Sequence, residues 1–281
     1  MIDETVAEIQ AMETHSSSVV VVKAAEALGE LLDRDYDSLE SFERDVEHNA
    51  GALRRSNPSH ASMHGALREV EQRVIGEAST VAEARKLLNT TIQETISEVR
   101  SGKREAAARA AGILDDGETF VTHDYSSTVL EAVRQAAATG AELTAHVTEA
   151  RPRYLGRKAA RRFVNIEGVT PHLFVDSAMA HALADADRVL LGMTCVTDDT
   201  YYNRVGTYPL IATAAQQNVP VTVVGSSAKV VGGFRFQNEY RKAVEVSREP
   251  IEDVAIENPA YDEAPMELIE QVITDQGTTE V

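Results

Sequence analysis

The sequence contains few of the features that mark secreted, membrane-spanning or disulfide-bonded proteins. Cys195 is its single cysteine, so no disulfide can form within the chain. It has no apolar run of about 18 residues, the length that a membrane-spanning helix requires. Its acidic start, MIDETVAEIQ, lacks the apolar stretch of a secretory signal. These absences predict a cytoplasmic protein that makes no contact with a membrane.

Lysine is scarce as well. The sequence has 6 Lys and 21 Arg but 45 Asp and Glu, which gives a net charge of -18. An acidic, halophilic surface in a high-salt cytoplasm explains such a composition. Because nucleic-acid phosphates are neutralised by clustered Lys and Arg, we expect no direct binding to nucleic acid. The sequence has no G-x-G-x-x-G after a predicted strand and no G-x-x-x-x-G-K-[ST], and we expect no cofactor and no metal ion.

Residues 1–112 are predicted to form a helical N-terminal domain. Apolar residues recur there at helical spacing, and few β-branched runs interrupt the pattern. Capping residues and Pro58 set the expected helix ends. The predicted helices are Asp3–Met12, one that begins at Ser16–Ser18, Ser41–Arg55, Ser62–Gly76 and Ser79–Ala111.

Residues 113–281 alternate apolar runs with helix patterns, which predicts an α/β domain with a doubly wound parallel sheet. The pattern begins after the turn at Leu114–Gly117. The outer predicted elements are strand Thr119–Thr122, helix Ser126–Thr139, strand Ala141–Val147, helix Leu155–Phe163, strand Thr170–Val175, helix Ser177–Ala184 and a last helix at Met266–Ile273.

The centre of this domain is a βαβ unit. The apolar strands Arg188–Gly192 and Val219–Val224 flank a predicted helix at Tyr208–Gln217, which Asn218 can end. Ligands bind beyond the carboxyl ends of the strands in such sheets. A polar loop, Met193–Arg204, follows the first of these strands, and we expect the site at Met193–Gly206.

Six sequence blocks stand out along the chain: KAAEAL (23–28), THDYSSTV (122–129), TEARPRYLGRKAA (148–160), ADADRVLLGMTCV (184–196), NRVGTY (203–208) and NPAYDEAP (258–265). Together they resemble one family, the alpha/beta/delta subunits of translation initiation factor 2B with the related ribose-1,5-bisphosphate and methylthioribose-1-phosphate isomerases. The resemblance implies a helical N-terminal domain and a Rossmann-like C-terminal domain. It also implies a homodimer or higher homo-oligomer formed through the latter.

The isomerases of this family resemble one another in a cysteine and an aspartate that are taken to move a proton between neighbouring sugar carbons. By this resemblance Asp124 stands at the cysteine position and Thr194 at the aspartate position, so no catalytic residue of the family is retained. The phosphate-binding Arg-Gly and Arg-Pro-Thr blocks of the isomerases match His15-Ser16 and Asn57–Ser59 here. Two phosphate-binding arginines are therefore expected to be absent.

Polar residues at the strand ends form the candidate ligand site. Several have a second, structural explanation: Ser126 and Ser127 could hold a phosphate or cap a helix. His123 and Asp124 could form an acid–base pair, although a strand-end His and a turn Asp are favoured. The candidates are His123, Asp124, Ser126, Ser127, Arg151, Thr194, Asn203, Arg204 and Lys229.

Three further features have open roles. Cys195 could be a displaced nucleophile, although burial as a small apolar residue is favoured. The arginines of Arg153–Arg162 could bind phosphate, contact a second subunit or balance local acid. Asp198-Asp199 could bind a cation, although a solvated pair is favoured.

Two functions follow from these residues. The favoured one is a regulatory or binding protein that resembles initiation factor 2B, with a remnant sugar-phosphate or nucleotide pocket and no isomerase chemistry. Its partners would be a phosphorylated small molecule and an initiation factor 2 subunit. The alternative is a sugar-phosphate aldose–ketose isomerase of the ribose-1,5-bisphosphate type with rearranged catalytic residues, for instance Asp124 or His123 with Cys195.

Overall fold

The structure, a computed structural model, describes residues 2–11, 16–249 and 251–281. The chain divides into two compact units, Met1–Ser101 and Gly102–Val281. The division falls inside the long helix Val81–Ala111, whereas the predicted domain boundary at residues 112 and 113 follows the end of that helix. No helix in the described part of the chain is long and apolar enough to cross a membrane.

The N-terminal unit consists of helices around an apolar core, as predicted. Leu28, Phe42 and Met63 are fully buried in that core. Met12 is the last residue of a predicted helix, and His15 stands where the isomerases of the family have a phosphate-binding arginine. Both lie outside the described residues. The helices are α1 (Ile2–Gln10), α2 (Ser17–Leu28), α3 (Leu39–Ser56), α4 (Ala61–Val74) and α5 (Val81–Ala111).

Two helices of this unit begin before the predicted position, α3 by two residues and α4 by one. At α3 the Ser38 hydroxyl accepts the Ser41 backbone N–H at 3.2 Å, and the Ser41 hydroxyl accepts the Ser38 N–H at 3.3 Å. At α4 the His60 Nδ1 accepts the Met63 N–H at 3.4 Å. The predicted starts at Ser41 and Ser62 missed these caps, because a sequence with several polar residues in a row does not show which one bonds the backbone.

The C-terminal unit is built on a seven-stranded sheet in the order β10-β9-β7-β4-β1-β2-β3. All neighbours pair in parallel except β10, which is antiparallel to β9. The doubly wound, mostly parallel sheet is confirmed. Its elements are β1 (Thr119–His123), α6 (Ser127–Ala138), β2 (Leu143–Thr148), α7 (Leu155–Phe163), β3 (Val169–Phe174), α8 (Met179–Leu183), β4 (Arg188–Gly192), β5 (Cys195–Val196), β6 (Thr200–Arg204), α9 (Thr207–Gln217), β7 (Val221–Val224), β8 (Tyr261–Pro265), β9 (Gln271–Thr274) and β10 (Gly277–Glu280).

Both faces of this sheet are covered by apolar cores. Successive side chains of a strand point to opposite faces. In β4, Val189 and Leu191 belong to one buried cluster, whereas Leu190 belongs to the other. This two-sided burial explains why the interior of β4, Val189–Leu191, is apolar and why Thr222 is the single polar residue of β7, which is what made both strands visible in the sequence.

The predicted last helix, Met266–Ile273, is wrong. Only Met266–Leu268 forms a helical turn, and Val272 and Ile273 pair in parallel with Val223 and Val224 of β7. Each of the two enters a different apolar cluster, so both faces of β9 are buried. The unpaired edge of β7 gives this β-branched pair more hydrogen bonds and more burial than a short exposed helix would provide.

The polar loop predicted at Met193–Arg204 also proves to contain regular structure. Within it β5 and β6 form an antiparallel hairpin, and β6 pairs with β8 to complete a three-stranded sheet. Tyr201 is fully buried, and its hydroxyl donates to the Gly192 carbonyl. Alternate residues of β6 are buried, and this register places the Arg204 side chain on the opposite face of the strand from the buried Tyr201 and Asn203.

A close backbone approach fixes the start of α7 against the end of β2. A Cβ atom at Gly156 would lie 1.8 Å from the Thr148 carbonyl oxygen, so the position accepts only glycine without movement of the backbone. The segment between these two elements, from Glu149 to Tyr154, includes part of the wall of the pocket described below. The glycine therefore holds a pocket wall in place.

Replacement of Gly156 by alanine should destabilise the C-terminal unit by about 1–3 kcal/mol, because the new methyl group forces the helix away from the strand. Urea denaturation followed by circular dichroism measures the change. Gly112→Ala is the matched control, since its Cβ would meet its nearest neighbour at an ordinary 3.4 Å. Equal unfolding midpoints for the two variants would contradict the assigned role of Gly156.

Candidate functional site

A pocket lies at the carboxyl edge of the sheet, on residues that follow β1, β2 and β6. The segment between β7 and β8 contributes its remaining wall. Four arginines against two carboxylates leave an excess of two positive charges in the lining. An anionic ligand is the natural partner of such a lining. The charged lining residues are Asp124, Arg151, Arg153, Arg204, Arg241 and Glu245.

Asp124 occupies the turn between β1 and α6. Its backbone is left-handed (φ 68°), a conformation that Asp tolerates better than most residues because its short side chain can bond locally. One carboxylate oxygen, Oδ2, lies 3.7 Å from the Arg204 Nε. The other, Oδ1, is buried and has no hydrogen-bond partner among the described residues. The site thus contains a carboxylate oxygen that a ligand can engage.

Arg204 ends β6 and is nearly buried, with 14% of its side chain exposed. Its guanidinium lies 4.7 Å from the centre of the Tyr261 ring. Burial opposes the charged form, but Tyr261 and Asp124 favour it, and the pKa of Arg204 is raised overall. Arg204 is therefore a fixed positive charge beside the Asp124 carboxylate.

The surroundings of Arg153 shift its pKa in the opposite direction from that of Arg204. Burial lowers its pKa, and the neighbouring Arg204 and Arg241 lower it further. Glu245 and Asp124 oppose this effect without cancelling it. Crowding of three guanidinium groups is unfavourable unless negative charge is nearby, so this region of the pocket favours binding of an anion.

Glu245 supplies negative charge at the outer end of the pocket. Its Oε1 accepts a hydrogen bond from Arg241 at 3.0 Å and lies 3.9 Å from the Arg153 Nε. Its Oε2 accepts a hydrogen bond from the Asn258 amide at 3.3 Å. Next to it, the Val246 carbonyl accepts a hydrogen bond from the Arg151 guanidinium at 3.0 Å.

Of the predicted ligand-site residues, Asp124, Arg151 and Arg204 line this pocket. His123 does not, because both of its ring nitrogens contact other protein groups. Nδ1 lies 2.6 Å from the Thr148 hydroxyl, and Nε2 lies 2.8 Å from the Val205 carbonyl. The side chain is a buried link between strands, in agreement with the favoured structural explanation.

Four other candidates are absent from the lining of this pocket. Ser126 caps α6, since its hydroxyl accepts the Val129 N–H at 3.2 Å, and Ser127 is the first residue of that helix. The Thr194 hydroxyl donates to the Asn203 Oδ1 at 3.4 Å. The Asn203 amide in turn donates to the Thr207 hydroxyl at 3.2 Å.

Lys229 and Cys195 are also buried outside the pocket lining. The Lys229 ammonium donates to the Met193 carbonyl at 2.8 Å, and burial, together with Lys103, lowers its pKa to about 8. Burial raises the pKa of the Cys195 thiol to about 12, against a lowering influence of Lys229. At neutral pH the thiol is therefore protonated and is a poor nucleophile.

The sequence did not single out Arg241 and Glu245, and Arg153 was only one of several arginines with open roles. Arg241 and Glu245 stand four residues apart, the spacing of a helical ion pair, which is the one local signal that could have drawn attention to them. Their convergence on Asp124 depends on how distant parts of the chain fold together, which no local pattern encodes.

Comparison with known proteins identifies relatives that match nearly the whole chain. The ribose 1,5-bisphosphate isomerase of Haloterrigena turkmenica is 31% identical over 291 residues, which cover 97% of this chain and 88% of that protein. The protein of the same name from Haloferax volcanii is 29% identical over 283 residues, with 97% and 87% covered. The crystal structure of Pyrococcus horikoshii translation initiation factor eIF-2B matches with a TM-score of 0.86 at 24% identity, covering 99% of this chain and 96% of that one.

These relatives overturn the prediction of a regulatory protein without isomerase chemistry. That prediction depended on the absence of the family's cysteine and aspartate at positions 124 and 194. Relatives named ribose 1,5-bisphosphate isomerase match almost the whole chain, which favours the isomerase alternative. The model of the initiation factor 2 subunit family matches residues 13–281. The chain belongs to the initiation factor 2 subunit family.

Proposed function

We propose that this protein is an aldose–ketose isomerase that acts on a phosphorylated sugar, with ribose 1,5-bisphosphate as the first candidate substrate. The observation that carries the proposal is the Asp124 carboxylate, which lines an arginine-rich pocket and has one buried oxygen with no hydrogen-bond partner among the described residues. The name shared by the relatives supports the same reaction class. Arginine side chains suit the phosphate groups of such a substrate.

The reaction needs one proton to move between neighbouring carbons. In ribose 1,5-bisphosphate the ring bond between C1 and O4 breaks, and O4 gains a proton. The C2 proton is transferred to C1, and the C2 hydroxyl loses its proton as C2 becomes a carbonyl. The proton lost from the C2 hydroxyl balances the one gained by O4, so the product is the 2-ketose with both phosphates retained.

Asp124 is the group proposed to carry the C2 proton. A carboxylate beside the reacting carbons can accept the proton from one carbon and return it to the next, which is general acid–base catalysis by a single residue. The rearranged pair of His123 and Cys195 fits the structure less well. Both His123 ring nitrogens contact protein groups, and the Cys195 thiol is buried outside the pocket lining.

Arg204 is proposed to stabilise the charge that develops during the transfer. Removal of the C2 proton places negative charge on the oxygen atoms at the reacting carbons, and a fixed guanidinium lowers the energy of that state. Because Arg204 lies 3.7 Å from Asp124, one reacting centre can lie within reach of both groups. Arg151 and Arg153, which also line the pocket, are proposed to contact a phosphate group of the substrate.

The change Asp124→Asn should lower kcat by roughly a hundredfold to ten-thousandfold, since an amide cannot accept the proton. A coupled assay at high salt that follows ketose formation from ribose 1,5-bisphosphate measures the loss. Asp185→Asn is the matched control, because Asp185 is exposed and is not part of the pocket lining. Full activity of the Asp124 variant would remove Asp124 from the mechanism, and absence of turnover by the unaltered protein would reject the substrate.

The change Cys195→Ala should leave kcat/KM within about threefold of the unaltered protein, because a buried, protonated thiol takes no part in the reaction. The same assay measures it, and a thermal melt confirms that the variant is folded. Loss of turnover in a variant with an unchanged melting temperature would instead support Cys195 as a displaced nucleophile. The homo-oligomer and the initiation factor 2 partner stay predictions.

A further inference from the structure

The pocket is nearly filled by its own side chains. Its free volume is about 20 Å³, which is room for about one water molecule. Sites for small molecules usually have volumes of about 300–1,000 Å³. A phosphorylated sugar therefore enters only if part of the lining moves.

The Glu245 side chain is the part of the lining that most resembles a bound ligand. Its carboxylate contacts Arg241, Arg153 and the Asn258 amide, the kinds of donor that hold an anion. It is carried by residues 241–249, which we call the strap. Within the strap, residues Ala243–Glu245 form one short helical turn.

The strap is held to the pocket by polar contacts and by little apolar packing. Val244 is 54% exposed and Val246 is 36% exposed, and neither belongs to an apolar core cluster of the C-terminal unit. The contacts toward the pocket are those of Glu245, the hydrogen bond from Arg151 to the Val246 carbonyl, and two links to the buried Asn258. The Asn258 amide donates to the Lys242 carbonyl at 3.0 Å, and the Asn258 carbonyl accepts the Arg241 backbone N–H at 2.7 Å. Because these links hold residues 241 and 242, the part that can be displaced at low cost in buried apolar surface is the Glu245 side chain.

We propose that Glu245 is a specificity-determining residue, whose carboxylate occupies the anion position between Arg153 and Arg241 until a phosphate group of the substrate displaces it. The inference rests on the proposed function, since it assigns the ligand class of the same pocket. Under this proposal a sugar enters the pocket only if it carries a phosphate group, so neutral sugars are excluded.

The difference between the two anions explains this selectivity. A phosphate monoester carries a charge of about −1.5 to −2 at neutral pH and three strong acceptor oxygens. The Glu245 carboxylate carries one charge and two oxygens. Phosphate therefore gains more from Arg153, Arg241 and Arg151 than the carboxylate loses by moving into water. A neutral sugar offers these arginines only hydroxyl groups, which do not replace a charged partner.

Titration calorimetry with Glu245→Gln tests the proposal. The amide keeps the shape of the side chain but removes the competing charge, so affinity for ribose 5-phosphate and for inorganic phosphate should increase roughly tenfold. Glu249→Gln, an exposed position in the same strap, is the matched control and should change affinity less than about twofold. All titrations use chloride buffer of one ionic strength, because salt screens these charges.

The outcomes separate this inference from the proposed function. Unchanged or weaker phosphate affinity in Glu245→Gln would overturn the inference, as would absence of phosphate binding by every variant. A gain that also appears in Glu249→Gln would show a general charge effect and would overturn it too. Phosphate binding can be measured without turnover, so the two experiments are independent. If the unaltered protein shows no isomerase activity but Glu245→Gln binds phosphate more tightly, the proposed reaction is rejected and the role of Glu245 is supported. Glu245→Ala, with a thermal melt, is the second variant if the glutamine form does not fold.

Discussion

The electrostatic balance of the buried arginines is the constraint on which the pocket depends. The chain carries a net charge of -18, yet four guanidinium groups line one pocket at the carboxyl edge of the sheet. Buried cations need partners, because leaving water without compensation is costly. Asp124 and the Tyr261 ring provide that compensation for Arg204, and Glu245 provides it for Arg153 and Arg241. The pocket is thus stable without a ligand, but its stability depends on carboxylates that a ligand can replace.

The structure changes how the departure from the family pattern at position 124 is interpreted. The residue at the family's cysteine position, Asp124, is itself a group that can accept and return a proton. The structure places that carboxylate beside Arg204 in a cationic pocket. Substitution of one acid–base group by another at position 124 is compatible with relatives named as isomerases, and a single carboxylate that carries the proton does not require a second acid–base group at Thr194. The identity of the replacing residue therefore matters more than the departure itself.

The sequence predicted the parts of the structure that local physics determines. The interior of β4 and most of β7 are apolar because both faces of the sheet are covered, and Asn218 ends α9 in the left-handed conformation that it tolerates. The prediction failed for β9, where a helix was expected at Val272 and Ile273 although the edge of β7 pairs with them. The sequence also predicted Asp124, Arg151 and Arg204 as site residues, and these line the pocket at strand ends or just beyond them. It missed Glu245 and Arg241, because the strap has no periodicity and its residues meet the pocket only after folding.

The pocket wall that carries Asp124 and Arg204 is held by a buried histidine, His123. A carbonyl oxygen can only accept a hydrogen bond, so the His123 Nε2 must donate to the Val205 carbonyl. The His123 Nδ1 lies 2.6 Å from the Thr148 hydroxyl. This buried link ties the residue after Arg204 to the end of β2, and the Gly206 backbone packs so closely that a Cβ there would lie 2.7 Å from the ring. Asp124 directly follows His123, so the proposed proton-transfer group and its arginine are positioned by the sheet itself. The strap opposite them is attached by hydrogen bonds to the buried Asn258 and by the charged contacts of Glu245. In the proposed mechanism Asp124 and Arg204 can therefore stay fixed while the Glu245 side chain gives way to a ligand, so the site can admit a substrate without losing its reacting groups.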